Sequence, residues 1–488
     1  MAGPNPDPDS PSGSPAGSWA DILSGRLAAY TLVLTLGTIL FGLNLFVVSA
    51  IMPSIVADIG GMQYYSWSFS LFSVGSVIGA ASAGPVREAL GDRTSYAGAG
   101  LIMVIGLAGA AIADNMLLLV FWRFVQGIGG GAIAAQSYGL VGSMYPEQLR
   151  GRVLSLISTA WGVATLFGPG FGGFFAEIGY WPGAFWSLGV LSLAITIAAW
   201  AVIRPTEGHG KLSAIPYQRL VLLAVSVLVL SLTTEVDANW LRGILIALSA
   251  LTAIFAFRLD SRAEKNMFPR RAMNIAGQMG MAYWILFLAT LVIVFLGVYT
   301  TLYLQVLHGS TPLAAAYLSA IMSFAWTGSA LVVASWRGTR ELAAIIFGLV
   351  LLVIGTVGVA LFVTSGPVLY LSISFFLIGF GTGFYNNPVI QRAIAGAGEH
   401  ERHIAGAAVQ TIRTVSLSFG AAMAGLIAAM AGLKTVPEPG VLAHAMNWVY
   451  SINIIFAVLA LMVAVPLMIS ARRSAVAGPA DQSPEAAG

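Results

Sequence analysis

The chain has 488 residues, 58% of them hydrophobic and 9% charged, where a soluble globular protein carries roughly 25% charged residues; an ordinary water-soluble enzyme is excluded. A formal net charge of +3 gives no case for a nucleic-acid partner. The absence of cysteine rules out disulfides, thiolate metal sites and a Cys nucleophile.

The N-terminal stretch MAGPNPDPDSPSGSPAGSWA has neither a basic nor an apolar region and reads as a disordered tail, not a signal peptide. Beyond it the chain is a succession of apolar runs. About 20 residues at 1.5 Å each are needed to cross roughly 30 Å of hydrocarbon. Runs of this kind are predicted at 28–52, 64–84, 95–113, 116–144, 153–176, 183–203, 219–235, 240–257, 277–305, 313–335, 341–364, 368–392, 403–431 and 445–470. Backbone groups in lipid must be satisfied within their own segment, and the alternation of a barrel is missing, so these are helices. Nineteen of the 23 Lys and Arg then fall on the side of the N-terminus, Arg242 and Lys434 on the opposite side, and Arg123 and Arg413 inside helices. Such a bias places both termini in the cytoplasm of a protein of the cytoplasmic (inner) membrane.

The expected architecture is an all-α polytopic membrane protein with 14 transmembrane helices. It divides into a disordered cytoplasmic tail (1–27), a six-helix bundle (28–203), a linker with two additional helices (204–276), a second six-helix bundle (277–470) and a disordered C-terminal tail (471–488). The fourth helix of each bundle is Gly-rich, QGIGGGAIAAQ from Gln126 and IGFGTGFYNNPVIQ from Ile378. Paired bundles with a site between them are a transporter architecture, since rocking one against the other exposes a midplane site to each side in turn.

Three segments of the first bundle carry a specific pattern. GPVREALGDR (Gly84–Arg93) follows the second helix. RFVQGIGGGA (Arg123–Ala132) lies in the fourth and WGVATLFGPGFGG (Trp161–Gly173) in the fifth. Together they resemble the signatures of the major facilitator superfamily, in particular its fourteen-helix drug:proton antiporter branch, and the resemblance covers nearly the whole chain. It implies a cytoplasmic latch at Gly84, Glu88, Gly91, Asp92 and Arg93, with Glu88 where the family has Asp. It also implies an antiporter-type gate at Gly168, Pro169, Gly172 and Gly173, where small residues allow close approach and Pro bends the helix. YLQVLHGSTPLAA (Tyr303–Ala315) and AGAAVQTIRTVSLSFGAAMAG (Ala405–Gly425) continue the likeness in the second bundle.

The first helix departs from the branch. LNLFVVSAIMP (Leu43–Pro53) puts Asn44 where the branch has a membrane carboxylate, Phe46 at its Thr and Ser49 at its Asn. An amide cannot titrate, and none of the 20 Asp and Glu falls at a predicted helix centre. Two deep arginines without a carboxylate predict a positive cavity that favours anionic or zwitterionic substrates. The alternative is that Arg123 is absorbed by Asn44 and Arg413 by carbonyls, leaving an uncharged cavity for hydrophobic compounds. The expected cavity lining is Asn44, Arg123, Gln126, Trp161, Tyr299, Trp326, Tyr385, Asn386, Asn387, Gln410 and Arg413. Candidates for proton coupling are confined to helix ends: Asp58, Glu88, Asp114, Glu235 and His308, whose imidazole titrates near pH 6.5 when unperturbed.

These readings converge on a secondary active transporter, a proton-linked exporter of drugs or small organic molecules working by alternating access. An importer or facilitator of an anionic or zwitterionic metabolite without proton coupling is the alternative, and a membrane-embedded enzyme a remote one, because no catalytic cluster lies at helix depth. No cofactor or metal is expected, the proton gradient being the energy source, and no phosphate-binding loop is present. The expected partners are a small-molecule substrate and the bilayer, with no nucleic acid, and the protein is expected to be a monomer.

Overall fold

The computed structural model describes residues 19–208, 215–263, 267–269, 272–333, 336, 338–396, 402–435 and 438–476. It is helical throughout, with no strand among the described residues. The first bundle comprises α1 (Gly25–Ile59), α2 (Trp67–Leu90), α3 (Asp92–Ala111), α4 (Met116–Gly139), α5 (Glu147–Glu177) and α6 (Trp181–Val202). The added pair is α7 (Tyr217–Leu232) and α8 (Asn239–Ser261). The second bundle comprises α9 (Gln278–Val306), α10 (Pro312–Val333), α11 (Thr339–Phe362), α12 (Val368–Ala395), α13 (Arg402–Met430) and α14 (Pro439–Val476). All but α7 contain a membrane-length apolar window; α7, with 16 residues, spans about 24 Å. The chain is a multi-pass membrane protein.

Each predicted span is found as a helix, but the ends move. α1 covers 35 residues and α14 covers 38, well past the predicted 28–52 and 445–470. Apolar composition marks the depth of hydrocarbon, whereas the helical hydrogen-bond ladder continues into the headgroup zone, where water and polar side chains take over. The N-terminal segment read as disordered is accordingly ordered from Trp19: the turn Trp19–Ile22 is tied to α1 by Thr31 Oγ1 donating to the Ile22 carbonyl (3.1 Å). Residues 1–18 and 477–488 lie outside the described residues.

The Gly-rich fourth helices do the same work in both bundles. α4 lies on α2 almost backbone to backbone: a Cβ at Gly127 would sit 2.1 Å from the Phe72 carbonyl, and one at Gly79 would sit 2.0 Å from that of Ile128. In the second bundle α12 meets α10 and α11 in the same way, with a Cβ at Gly379 falling 1.9 Å from the Met322 carbonyl and one at Gly381 falling 2.4 Å from that of Gly348. Without an apolar driving force between helices in lipid, such close approach is what supplies the dispersion energy of association.

The added pair is zipped by Ser226 and Ser249, each donating to the other's carbonyl (2.7 and 2.8 Å). Its linker is pinned by Asp260, which is 3% exposed, is ion-paired with Arg219 and accepts the backbone N–H groups of Met267 and Phe268. α7 packs into the seam between the bundles: Val227 and Leu230 share an apolar cluster with Val74 of α2 and with Ala422 and Leu426 of α13.

Candidate functional site

With the side bearing the N-terminus of α1 called the near side, the far-side halves of α1, α2, α5, α9, α10 and α13 form the contact between the bundles. Ser49 of α1 donates to the Gly297 carbonyl (3.3 Å) and accepts at its own carbonyl from Thr301 of α9 (2.6 Å). Tyr65 stacks on Tyr299 with ring centroids 5.2 Å apart. The Gly-Pro segment of α5 contributes through what it lacks: a Cβ at Gly173 would fall 2.7 Å from Leu313 Cα, and one at Gly170 2.4 Å from the Tyr317 hydroxyl, both on α10. Gly168 and Gly172 give the same close approach to Phe46 and Val47 of α1, while Pro169 lies inside the helix. Of the four residues expected at a gate, Gly173 thus meets the second bundle, whereas Gly168 and Gly172 pack on α1 of their own bundle, and the far-side halves of the two bundles are in contact.

The residues expected to form a near-side latch make their contacts within the first bundle and with the start of the linker that follows it. Gly91 has φ +80° and abuts Thr206, whose hydroxyl accepts the Asp92 backbone N–H (2.8 Å). Asp92 faces Arg87 at 3.7 Å, Arg87 donates to the Gly139 carbonyl (3.2 Å), and Arg93 lies 4.1 Å over the Trp200 ring. Gly84 and Glu88 are exposed.

Of the predicted lining, Asn44, Arg123 and Gln126 come together in a sealed network. Arg123 is fully buried. Its Nη1 donates to Asn44 Oδ1 and to Gln126 Oε1 (2.6 Å). Asn44 Nδ2 donates to the same Gln126 oxygen (3.2 Å), and Gln126 Nε2 donates to the Gly106 carbonyl (3.0 Å). The guanidinium lies 4.1 Å above the Phe72 ring, whose π face attracts it, while Nε and Nη2 make no hydrogen bond among the described residues. The charge is thus held by amides and an aromatic face, behind the wall that Phe41 and the half-buried Trp161 form with rings in T-shaped contact at 5.9 Å.

Arg413 is placed differently. It is only partly buried and donates through Nη2 to Asn386 Oδ1, and Asn386 in turn donates to Asn387 Oδ1 (3.1 Å). It lies within electrostatic reach of Tyr385 and of Tyr138, the latter on α4 of the opposite bundle. Asn386 is 7% exposed while Asn387 is exposed, the two side chains being turned about 100° apart on the helix. Trp326 is half-buried on α10. Tyr299 belongs to the far-side seal. Gln410 lies on α13, its side chain outside the described residues.

Of the five helix-end candidates for proton coupling, Glu88 is exposed and the other four have neutral partners. Asp58 accepts from Trp181 (2.9 Å), Asp114 from Asn115 (2.8 Å) and Glu235 from Tyr64 (3.1 Å); His308 Nε2 lies 3.0 Å from the Val363 carbonyl. Sequence reasoning did not select Ser49, Tyr65, Tyr317 or Thr301 for the closure. Only the small residues of α5 offered a signal there.

Residues 34–421 match the family model of the Major Facilitator Superfamily. The chain belongs to this superfamily. Among superfamily relatives, it is 31% identical to a probable multidrug-efflux transporter of Mycobacterium tuberculosis (strain H37Rv) over 85% of its own length and 90% of the relative's. It is 25% identical to the multidrug export protein EmrB of Haemophilus influenzae, over 52% and 51% of the two chains. The fold is also that of solved superfamily structures: a D-xylose–proton symporter (TM-score 0.65, 19% identity, 90% of this chain and 97% of that one) and a bacterial homologue of the human lysosomal transporter Spinster in its inward-facing, unoccupied conformation (TM-score 0.65, 13% identity, 93% and 98%). The superfamily member described here is a membrane transporter and not an enzyme.

Proposed function

We propose that this protein exports small organic molecules, drugs among them, across the cytoplasmic membrane by alternating access, with its near side and both termini in the cytoplasm. The observation that carries the reading is the α5 segment Gly168–Gly173, lodged between α1 and α10 at the closed far side. Closing one end over a site that lies deeper between the bundles is one half of such a cycle. Net export is supported by the multidrug-efflux relative that matches along most of both chains, and the orientation by the charge bias of the loops.

The substrate site in this reading lies between the bundles around Arg413, Asn386, Tyr385, Trp326 and Trp161. With Arg123 sealed away, one guanidinium is offered to the substrate. A neutral or anionic molecule with hydrogen-bond acceptors suits it better than a lipophilic cation. The proton gradient is the proposed energy source, without cofactor, in a monomeric protein. Because α1 supplies an amide where it could have supplied an acid, coupling runs through a group other than residue 44.

Everted membrane vesicles loaded by paired anionic and cationic fluorescent probes, with and without an imposed pH gradient, test each part. Uptake into everted vesicles that collapses with the gradient is expected, faster for the anionic probe. Uptake indifferent to the gradient would reject the coupling, and faster cation flux would reject the assignment of Arg413.

A further inference from the structure

The added helices α7 and α8 are joined on the far side by residues 233–238, and this short loop touches both bundles. Toward the first bundle it is hydrogen-bonded repeatedly. Trp67 Nε1 donates to Thr234 Oγ1 (3.1 Å), the Tyr64 hydroxyl donates to Glu235 Oε2 (3.1 Å), and one turn deeper Ser70 and Ser231 hydroxyls lie 3.5 Å apart. Trp67 and Thr234 are 6% and 1% exposed, so this bond is shielded from competing water. Toward the second bundle the polar link has another character: Lys434, in the loop between α13 and α14, is ion-paired with Asp237, and Arg242 of α8 lies 3.9 Å from the same carboxylate. Arg242 and Lys434 are the two cations that the loop-charge bias assigns to the far side, and both converge on Asp237. The carboxylate of the pair is water-exposed, Asp237 at 88%, against a half-buried Lys434. At the middle of the junction Gly425 of α13 is where all three bodies meet, since a Cβ there would fall 1.9 Å from Ser66 Oγ and 3.7 Å from Thr234 Cγ2.

We propose that loop 233–238 is a far-side strap that rides with the first bundle and fastens to the second through Asp237 and Lys434, holding the far side closed until that link parts. The proposal rests on the alternating-access reading above. Opening the far side must separate the end of α13 from the start of α2, so a loop bonded to both must let go of one. The shielded, directional bond of Trp67 to Thr234, with Ser70 and Ser231 one turn deeper, is the costlier set to break. The apolar contacts of Val227 and Leu230 with α13 are non-directional and can slide, and the exposed ion pair is the weak link, screened by salt. Asp237 and Lys434 are thus positioning residues of the transport cycle, remote from the substrate.

The absence of native cysteine makes the test direct. In a Ser49→Cys background, which reports on the seam, labelling by a membrane-impermeant maleimide from the far side is measured for Asp237→Asn, Lys434→Gln and the two changes together. Each single change is expected to speed labelling about twofold to fivefold, the factor a surface ion pair yields, and the double change to label no faster than the faster single variant. Unchanged labelling in the single variants, or a double variant whose gain is the product of the two singles, overturns the proposal.

In separate chains, a cleavable bifunctional thiosulfonate joining Asp237→Cys to Lys434→Cys is expected to lower efflux more than tenfold, reversibly on reduction. A disulfide between Ser70→Cys and Ser231→Cys is expected to leave more than half of it. Arrest by the second link, or free transport with the first, equally overturns the proposal. A chain that exports no probe under any gradient would sink the reading of function while leaving the labelling result to stand.

Discussion

Replacing Asn44 by Ala removes the one side-chain acceptor that α1 offers to the buried Arg123 guanidinium. A hydrogen bond to a charged group contributes about 1.5–3 kcal/mol, and a buried charge stripped of a partner cannot recover it from water. The surviving acceptor, Gln126 Oε1, is already engaged by the same Nη1 at 2.6 Å, and Nε and Nη2 have no alternative among the described residues. For a unit the size of the first bundle, roughly 2–4 °C per kcal/mol applies, so Asn44→Ala is expected to lower the melting temperature of the purified protein by roughly 3–12 °C. Asn44→Asp, which places a carboxylate beside the cation, is expected to melt no lower than the parent at neutral pH. Intrinsic-fluorescence melting in detergent measures both. An Ala variant that melts with the parent, or an Asp variant that melts well below the Ala variant, would refute the view that Arg123 is a structural charge neutralised by amides.

Gly173→Leu puts a side chain where even a Cβ would fall 2.7 Å from Leu313 Cα; it is expected to abolish efflux while membrane insertion, read by immunoblot, is retained. Gly127→Val drives a branched side chain into the Phe72 carbonyl 2.1 Å from its Cβ position, and with overpacking costing about 1–3 kcal/mol the yield of monodisperse protein on size-exclusion chromatography is expected to fall sharply. Arg413→Ala is expected to raise KM for an anionic probe at least tenfold with little loss of thermal stability, while Arg413→Lys recovers part of the affinity. Lys434, through its hydrogen bond and its charge, holds the Asp237 carboxyl below its ordinary range. The strap's contribution is therefore complete above the ordinary carboxyl range and lost as pH falls through the depressed value. Because the thiolate is the reacting form and its fraction falls equally in both chains, the Ser49→Cys labelling rate is read relative to that of the same chain with Asp237→Asn, and this ratio, below one at neutral pH, is expected to rise toward one in acid.

The helices were legible because lipid imposes a length on apolar runs, and even the short α7 lies within a few residues of its predicted span. What was not legible was how far α1 and α14 outlast the hydrocarbon, because beyond it hydropathy no longer reports on backbone bonding. At the site, the arginine and its neighbouring amides could be picked out as polar groups at membrane depth, and their pairing appeared among the alternatives. Their burial could not be read, because it depends on Phe41, Phe72 and Trp161 closing over them from other helices. Tyr299 shows the converse limit. A tyrosine deep in a helix suits a cavity wall as well as a seal, and only its stacking partner Tyr65, more than two hundred residues away in the chain, separates the two.

The backbone-to-backbone layering of α2 on α4 and of α10 on α12 also bears on how such a protein could change what it carries. These layers have almost no side chains to vary, so each bundle is a stiff block whose interior is closed to tinkering. On the proposed reading, new cargo preferences have to be written on the faces of α1, α5, α10, α12 and α13 that look toward the opposite block, a short alphabet of positions that leaves the levers themselves intact.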